Sequence, residues 1–199
     1  RPGGGSYPSV YALGSKGARL LIDEDGIDAA RTGWTHKNNS ARRPFIEHTL
    51  SIADLATSLF AATYVRLDII FDDMDALTAA LPARRRDLVQ PFAWRVSTSH
   101  KGQRHTFGLA PDYSFSLKLD DLRRSHFYMV ECDRGTMPVK RHGDDPFART
   151  SIFKKLMGYQ AGWKQGYHRR KFGWPNFRVL FVTTTRARAE HMRQCLADI

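Results

Sequence analysis

The chain of 199 residues is poor in cysteine: it has two, Cys132 and Cys195, and they form no ligand motif. That argues against a disulfide framework or a zinc finger, and it fits a reducing cytoplasm. Long apolar runs are missing as well. No stretch approaches the ~20 residues of a membrane span, and no signal-peptide apolar segment is visible. Negative charge is also scarce. Twenty Asp plus Glu against 31 Lys plus Arg give a formal charge of +11 and a pI near 10. Such a balance favours polyanions, nucleic acid first and a membrane surface second. A hydrophobic content of 42%, with 12% aromatics, suffices for a real core. The length suits one medium domain with an appendage.

The opening RPGGGSYPS is rich in Gly, Pro and Ser and lacks an initial Met, so it reads as a flexible leader with natural sequence upstream. VYALGSKGARLL then gives a short strand (Val10 to Leu13), a turn and a helix. This pattern resembles the last strand and closing helix of a winged-helix DNA-binding domain. Residues 23–41 show no sustained periodicity and read as a linker. The expected division is therefore 1–41, leader, winged-helix remnant and linker, and 42–199, the main domain.

Within that domain a helix is expected from Arg42 to Ala62, with Phe45, Thr49, Ile52, Ala53, Ala56, Leu59 and Phe60 facing the core. YVRLDIIF (64–71) alternates like a strand, and DDMDALTAAL reads as a capped helix ending at Pro82. FAWRVS is a strand between two basic loops, ARRR (83–86) and HKGQRH (100–105). Residues 113–119 and 127–132 read as a hairpin pair. TSIFKKLMGYQAGW is a helix capped by Thr150 or Ser151, RVLFVTT (178–184) a buried strand, and RARAEHMRQCLADI a closing helix. The helix-to-strand step near the end implies a crossover, hence an α/β fold with a mixed sheet flanked by helices.

Two strands carry carboxylates that an apolar interior tolerates only if paired, hydrogen-bonded or bound to metal. PDYSFSL holds Asp112, and ECDRGTMPV holds Glu131 and Asp133. The element order and these residues resemble the αβββαβ core of the PD-(D/E)XK nuclease superfamily. That resemblance implies a Mg²⁺ or Mn²⁺ site made by Asp112, Glu131, the backbone carbonyl of Cys132 and, from the first core helix, Glu47. The superfamily's Lys is replaced here by Asp133, and members that move it to the next helix point to Lys155 rather than Lys154. Asp112, Glu131, Asp133 and Lys155 are thus the candidate catalytic residues. The alternative is a structural network neutralised by Arg134 or Arg123, with Asp133 capping the turn at Gly135.

KQGYHRRKFGW (164–174) interleaves Lys164, His168, Arg169, Arg170, Lys171 and Trp174 with Tyr167 and Phe172. Cations for phosphates and rings for unpaired bases suit nucleic acid, and Arg84, Arg85 and Arg86 extend the same expected surface. The bland reading is a surface loop whose aromatics close the core. From residue 110 onward, PDYSFSL, ECDRGTMPV, TSIFKKLMGYQAGW and FGWPNFRVLFVTT together resemble the plasmid replication-relaxation protein family. This implies DNA and plasmid replication or mobilisation proteins as partners. Three functions stay open: a metal-dependent DNA endonuclease, a catalytically inactive DNA-binding accessory, and a transcriptional regulator.

Overall fold

The computed structural model describes residues 13–27, 43–119, 124–141, 143 and 145–199. Two units divide the chain, Arg1–Glu47 and His48–Ile199. The first contains helix α1 (Ser15–Asp25), which stops at Gly26 because that residue adopts a left-handed conformation, φ 63°. The expected strand before it lies, except for Leu13, outside the described residues. Helix α2 (Arg43–Tyr64) starts at the end of this unit and continues into the second.

The second unit is built on a four-stranded sheet. In chain order come β1 (Ile69–Asp72), helix α3 (Met74–Ala79), helix α4 (Ala83–Arg86), β2 (Trp94–His100) and β3 (Gln103–Leu109). Then follow β4 (Tyr113–Leu119), β5 (Ser125–Cys132), helix α5 (Ile152–Lys164), helix α6 (Tyr167–Phe172), β6 (Arg178–Val182) and helix α7 (Arg186–Ala197). The sheet order is β1-β4-β5-β6, with β5 and β6 parallel and the other pairs antiparallel. Setting aside the β2–β3 ribbon and its short helices, the order is helix, three strands, helix, strand.

Side-chain alternation along β5 decides what meets what. Tyr128, Val130 and Cys132 join Phe115 and the half-buried Ile52, Leu55 and Leu59 of α2. Phe127 and Met129 point the other way, into the cluster built around α5 and the ribbon. Glu131 falls on this second face. Helix α5 is therefore packed between the sheet and the ribbon, and two glycines one turn apart permit that closeness. A Cβ at Gly158 would come 2.9 Å from the Phe107 ring, and one at Gly162 would come 2.8 Å from the Trp94 indole nitrogen.

Several expectations need correction. Phe45 and Phe60 are exposed on α2, whose inward stripe is Ile52, Leu55 and Leu59. β1 starts only at Ile69, where pairing with Leu119 begins; before it, Arg66 and Asp68 pair in a turn and leave Val65 and Leu67 exposed. HKGQRH is not a loop. Lys101 and Gly102 form a two-residue turn, both at positive φ (49° and 78°), and the rest continues as strands. β6 is a sheet edge among the described strands, so Leu180 is exposed. ARRR forms a short helix, and helix α6 replaces most of the expected 164–174 loop.

The two glycines of α5 give a direct test. Gly162→Ala gains about 1 kcal/mol in helix propensity, yet overpacking against Trp94 costs about 1–3 kcal/mol. A lower urea midpoint is expected; a higher one would show that the ribbon gives way freely.

Candidate functional site

Asp112 stands just before β4, and its N–H donates to the Val130 carbonyl at 2.9 Å. The β4–β5 ladder ends at Tyr113–Val130, one residue short of Asp112 and Glu131, and the Asp112 charge is near enough to act on Glu131. Asp112 Oδ2 accepts the Cys132 N–H at 2.8 Å, and its Oδ1 lies 3.3 Å from His48 Nε2. Sequence reasoning assigned His48 no role. Its signal was only its place next to Glu47, one residue along the first core helix. Glu47 itself pairs with Arg43 one turn earlier, at 2.7 Å.

Glu131 is 1% exposed. Its Oε2 is paired with Lys155 Nζ, and its Oε1 accepts the Tyr159 hydroxyl at 2.5 Å. Both partners come from α5, four residues apart and therefore on the same side of the helix. Lys154, the next residue round, instead donates to the Phe147 carbonyl at 2.6 Å and lies over the Phe107 ring. Burial pushes the Glu131 carboxyl up to about 7, against the pull of Lys155 and with the help of Asp112. Burial, then Glu131, holds the Tyr159 hydroxyl well above its ordinary value, so it remains a donor.

Asp133 does not join this group. Its oxygens accept from Arg188 (2.8 and 2.9 Å), Thr183 (2.8 Å) and Gly135 N–H (3.2 Å). Burial raises its pKa, but these bonds outweigh it and leave the carboxyl below the ordinary range. With its oxygens engaged there, Asp133 closes the turn at Gly135 and ties β5 to α7. The Cys132 side chain packs with Phe115 and Val130, and burial lifts its thiol to about 11, so it offers no thiolate.

The residues expected to meet nucleic acid separate into two sets. Arg84, Arg86, Lys164, Arg169 and Arg170 are exposed, and Lys171 is partly so. Burial pulls the Lys171 ammonium below its ordinary value, and repulsion from Arg85, Arg84 and Arg170 adds to this. Helices α4 and α6 thus bring like charges together, as a polyanion site would. Three other residues of that set are buried. Arg85 is 8% exposed and donates to the carbonyls of Pro91 and Ala93, His168 is 3% exposed beside Phe177, and Trp174 is 4% exposed against Phe92 and Phe127. Phe172 is buried as well, so the rings close the core while the cations face out.

The two carboxylates are the donor type that a hard cation takes, but an ion would have to displace Lys155 or Tyr159 to reach a Glu131 oxygen. Among the described residues, no cluster of three His, Cys, Asp or Glu could hold a metal, so water or phosphate oxygens would have to complete the shell. No helix among the described residues is long and apolar enough to cross a membrane.

Two outcomes follow. Between about 4.5 and about 7 the folded chain keeps a proton on Glu131 that the unfolded chain has released. That stabilisation is complete below the lower value and is lost as pH rises through the upper one. The stability difference between wild type and Glu131→Gln should therefore shift in favour of the variant from pH 5 to 8. His100 and His168, both held down by burial, titrate in both proteins and cancel. A constant difference would contradict a raised Glu131. Separately, Arg188→Ala leaves the buried Asp133 unpaired and should cost about 3–5 kcal/mol in urea unfolding; a change below ~1 kcal/mol would show that the contact is incidental.

A family model described as replication-relaxation matches residues 1–175. The match takes in the first unit and stops before RVLFVTT. No curated protein and no solved structure matches the chain.

Proposed function

Because the chain belongs to the replication-relaxation family, which points to plasmid replication or mobilisation, we propose that it binds DNA there and cleaves a phosphodiester with Mg²⁺ or Mn²⁺. The observation that carries this reading is the convergence of Lys155 and Tyr159 on Glu131, with Asp112 bonded to the N–H of the next residue, Cys132. A cation, two carboxylates and a hydroxyl donor at the end of adjoining strands are the parts that a PD-(D/E)XK-like centre requires. The αβββαβ order supports the same reading, and α5 supplies the Lys that β5 lacks.

Asp112 and Glu131 would hold the ion, which supplies a polarised phosphate and a water of lowered pKa. Lys155 sits at Glu131 and would place a positive charge beside a bound phosphate. Tyr159 donates to Glu131 Oε1 and so fixes the orientation of that carboxylate. The exposed cations of α4 and α6 draw in the DNA backbone. A second reading, a catalytically silent DNA-binding accessory, is favoured by one fact: both Glu131 oxygens are engaged in a nearly closed site.

Nicking of supercoiled plasmid in Mg²⁺ or Mn²⁺ separates the two. Asp112→Ala, Glu131→Ala and Lys155→Ala should each lower the rate by about 10²-fold or more. If wild type and Asp112→Ala behave alike, the accessory reading stands instead.

A further inference from the structure

We propose that the β2–β3 ribbon inserts into the major groove of duplex DNA, with Lys101 at its tip. This rests on the DNA-binding reading above and says which element reads the duplex.

The ribbon is built asymmetrically. Trp94, Val96, Phe107 and Leu109 are buried against the α5 side. The opposite face presents Arg95, Ser99, Arg104, Thr106 and Gly108, all exposed. Ser97 and Thr106 hydroxyls bond each other at 2.7 Å across this face. Short side chains there keep the ribbon thin, while their hydroxyls can donate or accept at base edges. From Trp94 to Leu109 the sequence WRVSTSHKGQRHTFGL contains Arg95, Lys101 and Arg104 and no acidic residue. The charge is complementary to phosphate along the whole element.

The tip adds an independent observation. A two-residue turn of this type normally uses Asn, Asp or Gly at its first position. Here Lys101 holds φ 49°, the one non-glycine residue at positive φ among the described residues. Strain of that sort at an exposed tip is kept where the side chain has work to do. The ribbon is also the right size. Seven residues per strand extend about 23 Å, and a groove about 12 Å wide admits two strands.

Its root is tied to α4, the helix that also carries the exposed Arg84 and Arg86. Arg85 of α4 donates to the Ala93 carbonyl at 2.6 Å, immediately before β2. Trp94 packs edge-on to Tyr159, 5.8 Å between ring centres, and Tyr159 holds Glu131. Ribbon and carboxylate centre are thus mechanically joined, so a groove contact would register the backbone relative to the site.

Anisotropy titrations with a duplex of mixed sequence, over a range of salt, test this together with dimethyl sulfate protection of guanine N7, a major-groove atom. Arg95→Ala/Lys101→Ala/Arg104→Ala should weaken duplex binding at least about tenfold, reduce the salt slope by about 2–3 and abolish N7 protection. Thr106→Glu, one exposed change on the outer face, should act in the same direction. Arg169→Ala/Arg170→Ala/Lys171→Ala should weaken binding but keep N7 protection at saturation. If only the α6 variant weakens binding, the ribbon proposal fails while DNA binding stands. If wild type prefers single-stranded DNA or RNA and protects no N7, the groove proposal is likewise overturned. If wild type binds no nucleic acid, both readings fall.

Discussion

A carboxylate in an apolar layer constrains this structure more than any other group. Glu131 lies on the face of β5 that α5 covers, where an unpaired charge would cost several kcal/mol. Lys155 and Tyr159 meet that demand from one side of α5, and in doing so they fix how that helix is rotated on the sheet. Gly158 and Gly162 lie on the neighbouring surface of the same helix and accept the ribbon at close range. Rotating α5 to release Glu131 would drive those glycines away from Phe107 and Trp94. Site, helix and ribbon are therefore one mechanical unit.

Charge elsewhere is sorted by the same rule. Buried ions come with partners: Asp133 has Arg188, and Arg85 has two backbone carbonyls. Exposed cations on α4 and α6 stand beside one another instead, close enough to repel. Such crowding is unfavourable for the chain alone and favourable once a polyanion arrives. The interleaved sequence YHRRKF achieves both ends at once, because helical geometry turns Phe172 and His168 inward and Arg169 and Arg170 outward.

Local signals made part of this structure legible in the sequence, and long-range packing hid the rest. The sheet strands around Asp112 and Glu131 were legible because alternation and polar turns are local signals. So was a cap at Thr150 or Ser151, which the structure assigns to Ser151, whose hydroxyl accepts from Lys154 N–H. β3 was not, since HKGQRH is polar throughout and its strand character comes from pairing with β2. The roles of His168, Trp174 and Arg85 were hidden for a related reason: which way a basic-aromatic segment faces depends on packing partners such as Phe92 and Phe127, which lie far from α6 in sequence. Asp133 shared Glu131's alternation, but its partner Arg188 comes from a helix 55 residues away.

Whether the Glu131 cluster is a cation-dependent centre or a closed structural network turns on whether an ion can take the place of Lys155 at that carboxylate. Anomalous scattering from crystals soaked in Mn²⁺ above pH 7, where Glu131 has lost its proton, answers this directly. A cation-dependent centre requires a manganese peak within about 2.0–2.6 Å of oxygens from both Asp112 and Glu131, with Lys155 displaced from Oε2. A map with no peak there and Lys155 still seated on Glu131 would contradict it.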